Sequence, residues 1–182
     1  MQNKSIIRIV VGTALILLVP LVAMQFTDEV VWTPADFVTA GILLAGSGFA
    51  FALAAKNANR LAHKAAVGLA VAGALLLVWV NLAVGVIGTE HNPANMIYVG
   101  VLAVGLTGAL IARFQPPGMA RTLYATALAQ ALVLAIALFY WPREVTWTVG
   151  GANVFFIVLF VSSGLLFRRA GQTTRGANQK LG

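Results

Sequence analysis

Long apolar runs alternate with short polar loops along the whole of this 182-residue chain. A helix needs about 20 residues to cross roughly 30 Å of hydrocarbon, and six runs are long enough. They read as Ile6–Phe26, Phe37–Ala55, Ala65–Gly88, Met96–Phe114, Met119–Trp141 and Gly150–Phe167. Little lies outside them. The pattern therefore predicts an all-α polytopic membrane protein, with a six-helix transmembrane domain over residues 1–169. The remaining residues, 170–182, are rich in Gly, Gln, Thr and Asn without an apolar face and are expected to be disordered.

The polar loops resemble one another. Glu29-Val30-Val31-Trp32-Thr33 recurs with one change as Glu144-Val145-Thr146-Trp147-Thr148, and Pro34-Ala35-Asp36 recurs as Pro93-Ala94-Asn95. Each copy precedes a long apolar run, so the chain reads as three tandem two-helix repeats. The motif also has a local cause. Thr33 can cap the next helix, Pro34 suits its first position, and Asp36 can reach back to complete a capping box. Asn92, Pro93 and Asn95 fill the same positions in the second copy. The third has Val149, Gly150 and Gly151 after Thr148, which places its helix start near Ala152 and Asn153. Two other uses compete with capping: cation capture at an outer acidic mouth of Glu29, Asp36, Glu90 and Glu144, and docking of a partner.

Small residues four apart let helices approach closely in lipid. Gly41 with Ala45, Gly48 with Ala52, Gly105 with Ala109, and the row Ala127, Ala131, Ala135 predict that spans 2, 4 and 5 are tightly buried. Pro20 is expected to kink span 1, and Pro116-Pro117-Gly118 to make a stiff turn between spans 4 and 5.

Composition supports lipid as the solvent. The chain is 60% hydrophobic and 9% charged, with a mean hydropathy of +0.90 and no cysteine, which excludes disulfides and thiolate chemistry. A net charge of +7 would raise nucleic-acid binding in a soluble protein. Here the charges are distributed for topology instead. Eleven of the twelve basic residues fall at the start of span 1, around the junction of spans 2 and 3, around the junction of spans 4 and 5, or after span 6, whereas all five acidic residues lie at the opposite ends, beside Arg143. The positive-inside rule then places both termini in the cytoplasm of a bacterial inner (cell) membrane. Lys4 and Arg8 ahead of span 1 resemble a signal-peptide n-region, but the apolar run is too long and no Ala-x-Ala-like site follows, so the span is expected to be retained.

Chemistry is sparse. No Asp, Glu, Lys, Arg or His falls in the inner two-thirds of any span, whereas ion-coupled transporters usually place one near the midplane. Asn81 and Gln130 remain, about 10 Å and 16 Å from the outer ends of their helices at 1.5 Å per residue. They can hydrogen-bond across helix interfaces or, with Trp79, line a polar pocket. Gly46-Ser47-Gly48 lacks the preceding glycine and the later histidine of the intramembrane serine proteases of the rhomboid type. His91 beside Glu90 offers only two ligands to a metal. The two-helix plan is similar in topology to the mitochondrial carriers, yet Trp147 stands where the basic residue of their Pro-x-acid-x-x-base motif belongs.

The segment Trp79-Val80-Asn81-Leu82-Ala83-Val84-Gly85 through Asn92-Pro93-Ala94-Asn95 resembles uncharacterised small bacterial multi-pass inner-membrane proteins. The resemblance covers spans 3 to 5 and implies no mechanism. The sequence thus leads to a non-enzymatic membrane protein, an accessory subunit or scaffold, with a passive small-solute channel or the substrate-binding subunit of a transporter as the alternative. Its expected partners are the lipid bilayer and another membrane protein or a second copy, without nucleic acid, cofactor or metal.

Overall fold

The computed structural model describes residues 3–56, 58, 60–88 and 91–179, with the backbone alone for residue 3 and for residues 173–179. Its regular elements are helices: α1 (Asn3–Ala23), α2 (Pro34–Ala54), α3 (Leu61–Ala83), α4 (Ile97–Ile111), α5 (Pro116–Tyr140) and α6 (Trp147–Gln179), with a 3-10 turn, Pro93–Met96, leading into α4. All six helices are long and apolar enough to cross a membrane, counting the 3-10 turn with α4. The chain divides into two compact units, Met1–Lys56 and Asn57–Gly182.

The first unit is the hairpin of α1 and α2. Pro20 lies in the last turn of α1 and the helix continues to Ala23. Gly48 gives α2 its close approach, since a Cβ there would come within 2.9 Å of the Ile9 side chain. Tight burial of α2 is not found in this unit, where Ala40 is its one buried residue. The small-residue rows of α2 mark where a neighbour can approach, not that one surrounds the helix.

The second unit is built on α6, which packs along both α3 and α5, while α4 packs along α5. Among the described residues, the side chains that α6 buries are Val149, Asn153, Phe156, Phe160, Ser163, Phe167 and Ala170, with Gly164 buried beside them. Their spacing alternates four and three, the seam of a helix that meets its neighbours at a shallow angle. On α3 the matching groups are Ala66, whose carbonyl accepts from Ser163 Oγ at 2.7 Å, and Gly73, where a Cβ would lie 2.5 Å from Leu159 Cδ2. The buried stripe of α5 runs Thr122, Thr126, Gln130, Val133 and Ala137, and the row Ala127, Ala131, Ala135 contributes only Ala127. Between α4 and α5 the contact is closest at Gly108, where a Cβ would lie 2.6 Å from Thr122 Cγ2.

Three expected boundaries move. The third span ends at Ala83, because Gly85 and Gly88 adopt left-handed φ values of 73° and 70° and turn the chain. The turn after α4 is made by Arg113 and Phe114, at φ 48° and 58°, and Pro116 opens α5 as its first residue, so the two prolines start a helix where a turn was expected. The last helix begins at Trp147 and not near Ala152, since Thr146 Oγ1 accepts from Val149 N at 3.4 Å and caps it three residues in. It then continues to Gln179 through most of the tail expected to be irregular, and Lys180 to Gly182 lie outside the described residues.

Candidate functional site

The repeated motif supplies three different helix starts. In the first copy Asp36 Oδ2 accepts from Thr33 N at 2.7 Å and from Thr33 Oγ1 at 2.8 Å, and Thr33 Oγ1 accepts from Asp36 N at 3.4 Å, which completes a capping box. In the third, Thr146 caps in place of Thr148, two positions earlier than Thr33 stands in its motif. The second departs most. Asn92 Oδ1 accepts from Ala94 N at 2.9 Å and caps the 3-10 turn, but Asn95 does not reach back to it. Its Oδ1 accepts from Val86 N at 3.0 Å and Ile87 N at 2.8 Å, and its Nδ2 donates to the Ile87 carbonyl at 3.2 Å. Asn95 therefore fastens the loop after α3 to the entry of α4.

That fastening frames a cleft. The two consecutive helices α3 and α4 touch only sparsely, and the space at the end where they join is a cavity of about 320 Å³. Val78, Asn81 and Leu82 of α3 line one side, and Tyr98, Val99 and Leu102 of α4 the other. His91, Asn92, Asn95 and Met96 stand at its mouth. A volume of this size is at the small end of ligand pockets, which run about 300–1,000 Å³. Asn81 Nδ2 donates to the Leu77 carbonyl one turn back at 2.8 Å, and its Oδ1 is buried without a partner.

Behind the cleft wall lies a buried polar cluster. Tyr98 donates its hydroxyl to Asn153 Oδ1 at 3.1 Å, Gln130 Nε2 donates to the same oxygen at 2.9 Å, and Asn153 Nδ2 donates to the Val149 carbonyl at 2.9 Å. Three helices are joined at one amide. Gln130 and Asn153 are fully buried and Tyr98 is 1% exposed. Only Gln130 Oε1 in this cluster is left without a partner.

The structure thus divides the expected pocket. Asn81 lines the cleft, Gln130 sits in the core and is linked to the cleft only through Asn153 and Tyr98, and Trp79, half-buried on α3, is not in the lining. Of the acidic mouth, Glu144 lies against the loop after α3, because a Cβ on Gly88 would come within 2.9 Å of both Glu144 Oε2 and Asn92 Nδ2. Asp36 is engaged in its capping box, Glu29 is exposed beside Thr27 with its own N donating to Thr27 Oγ1, and both belong to the other unit. Glu90 lies outside the described residues. Among the described residues no group of three or more His, Asp or Glu side chains converges as a metal site would require.

Tyr98 is the residue that sequence reasoning did not select, whereas Asn95 and Asn153 were read only as helix-start positions. Asn153 carried a signal, an amide inside an apolar run, but placing the helix start beside it gave it a terminal role.

Fold and site together define an all-helical chain whose six helices are each long and apolar enough to cross a membrane, with a cleft between α3 and α4 and a buried polar cluster behind it in the larger unit. No family model, curated protein or solved structure matches the chain.

Proposed function

We propose that this is a non-enzymatic integral protein of a bacterial inner membrane, acting as an accessory subunit or scaffold toward another membrane protein or a second copy. The observation that carries the reading is that the fully buried polar side chains of the larger unit, Gln130, Asn153 and Ser163, join helices and do not face a path. Each is 0% exposed and hydrogen-bonded to a neighbouring helix. Conduction of a polar solute needs groups that line an aqueous route. The distribution of eleven of twelve basic residues to one set of helix ends supports cytoplasmic termini. An origin from three tandem two-helix units belongs to the same proposal, supported by the recurring Glu-Val-x-Trp-Thr; overlay of residues 6–55, 65–114 and 119–167 in an experimental structure tests it.

A second reading, a substrate-binding subunit, is favoured by the cleft between α3 and α4 with its unpartnered Asn81 oxygen. Purification in mild detergent, mass determination of the intact particle and solute-flux measurements in liposomes separate the two. The scaffold reading expects a stoichiometric partner or homo-oligomer and flux equal to that of empty liposomes. A lone chain that raises flux overturns it.

A further inference from the structure

We propose that the groove between α4 and α5 holds an anionic phospholipid, an inference that rests on the membrane-spanning reading. The groove has a volume of about 580 Å³. Its lining changes character with depth. Thr107 lies about 6 Å from the last residue of α4, and Arg121 about 7.5 Å from the first residue of α5, both measured from the turn that joins the helices. Deeper in, about 12–14 Å from that turn, the lining is Ala103 and Ala125. Polar groups thus sit at headgroup and glycerol depth, beside Ile111 at the end of α4, and an apolar floor of Ala103, Val104 and Ala125 follows where an acyl chain would lie.

The polar end is unsatisfied by the protein. Arg121 and Thr107 are both exposed, and among the described residues neither side chain has a hydrogen-bond or ion-pair partner. Glu144, the acidic residue of this unit among those described, follows the far end of α5 from Arg121, so no described carboxylate offsets the guanidinium. The floor is self-contained. Gly108 admits the Thr122 side chain at closest approach, and the Thr122 hydroxyl donates to the Gly118 carbonyl at 3.1 Å. A cation and a hydroxyl donor at one end of an open apolar groove complement a phosphate and an ester carbonyl above a hydrocarbon chain. Basic pockets between membrane helices bind anionic headgroups by this chemistry.

The test uses the full chain in detergent, with phosphatidylglycerol and phosphatidylcholine of equal chain length competing for it in native mass spectrometry. Wild type is expected to prefer the anionic lipid by about fivefold, the factor that one interfacial cation supplies. Arg121→Lys should keep that preference and Arg121→Gln should remove it. Ala125→Leu, which fills the floor and leaves the charge, should lower retention of both lipids. A preference that survives Arg121→Gln overturns the proposal, as does unchanged retention in Ala125→Leu. Inorganic phosphate that competes as well as the lipid overturns it in favour of a free-phosphate site. Alkaline carbonate extraction of native membranes is scored separately, because release of the chain there defeats the membrane-spanning reading and not the groove.

Discussion

Tyr98 and Asn153, fifty-five residues apart, meet through a 3.1 Å hydrogen bond that joins α4 to α6, and the same Asn153 oxygen receives Gln130 from α5. Removing the amide is therefore expected to cost more than removing either donor. Tyr98→Phe deletes one bond and should destabilise by about 0.6 kcal/mol, the mean found for such bonds in membrane bundles. Asn153→Leu leaves the Tyr98 hydroxyl and the Gln130 amide buried without an acceptor, and should cost at least ~2 kcal/mol. Unfolding titrations in mixed micelles measure both. Equal losses would show that Tyr98 and Gln130 find other partners.

Gly88 combines a left-handed φ of 70° with crowding from Glu144 and Asn92. Gly88→Ala is expected to destabilise by about 1–2 kcal/mol from the backbone alone, with a further steric part against Glu144. The double variant Gly88→Ala, Glu144→Ala should recover the second part and not the first. Full recovery in thermal melts would mean that the φ value is not held in the native loop.

Capping can be read one threonine at a time. Thr33→Ala should cost about 1 kcal/mol, and Asp36→Ala should lower stability too, because its carboxylate accepts the two shorter bonds of the box. At α6, Thr146→Ala is expected to destabilise by about 0.5 kcal/mol, less than Thr33 in keeping with its longer 3.4 Å bond, while Thr148→Ala should be silent. A loss confined to Thr148→Ala would show that Thr146 does not cap this helix.

Orientation is tested with a chain that has no cysteine of its own. Asp28→Cys and Gln115→Cys introduce single thiols at exposed positions, one in an acidic loop and one in a turn beside Arg113. An impermeant thiol reagent added to intact cells should label position 28 and spare position 115. The reverse pattern would invert the topology.

The count and approximate limits of the helices were legible because apolar length is all that a bilayer demands of a span. Thr33, Pro34 and Asp36 were legible as a cap because the bonds involved span three residues. The core stripe of α6 was not, since Val154, Phe155 and Val158, more than half exposed on its outer face, are as apolar as Phe156 and Phe160 inside. When lipid covers the outside, hydrophobicity loses its period, and only Asn153 and Ser163 mark the inner face. The cleft was half legible: Asn81 stood out as an amide in an apolar run, whereas Tyr98 looks like an ordinary interfacial aromatic and Asn95 like a second capping residue. Their partners lie at distances along the chain that no local pattern encodes.

The dependence of α3 on α6 sets a schedule for biosynthesis. A chain made from its N-terminus completes α3 at Ala83, but the neighbour that covers Ala66 and Gly73 does not begin until Trp147. Sixty-three residues, including α4 and α5, separate the two, and α4 offers α3 little contact meanwhile. Contacts so distant along the chain form late and leave earlier surfaces uncovered while they wait. Ribosome-bound chains that end before α6 should therefore leave the Ala66 and Gly73 face of α3 against lipid, and a cysteine pair that joins α3 to α6 should cross-link only in chains long enough for the last helix to have emerged.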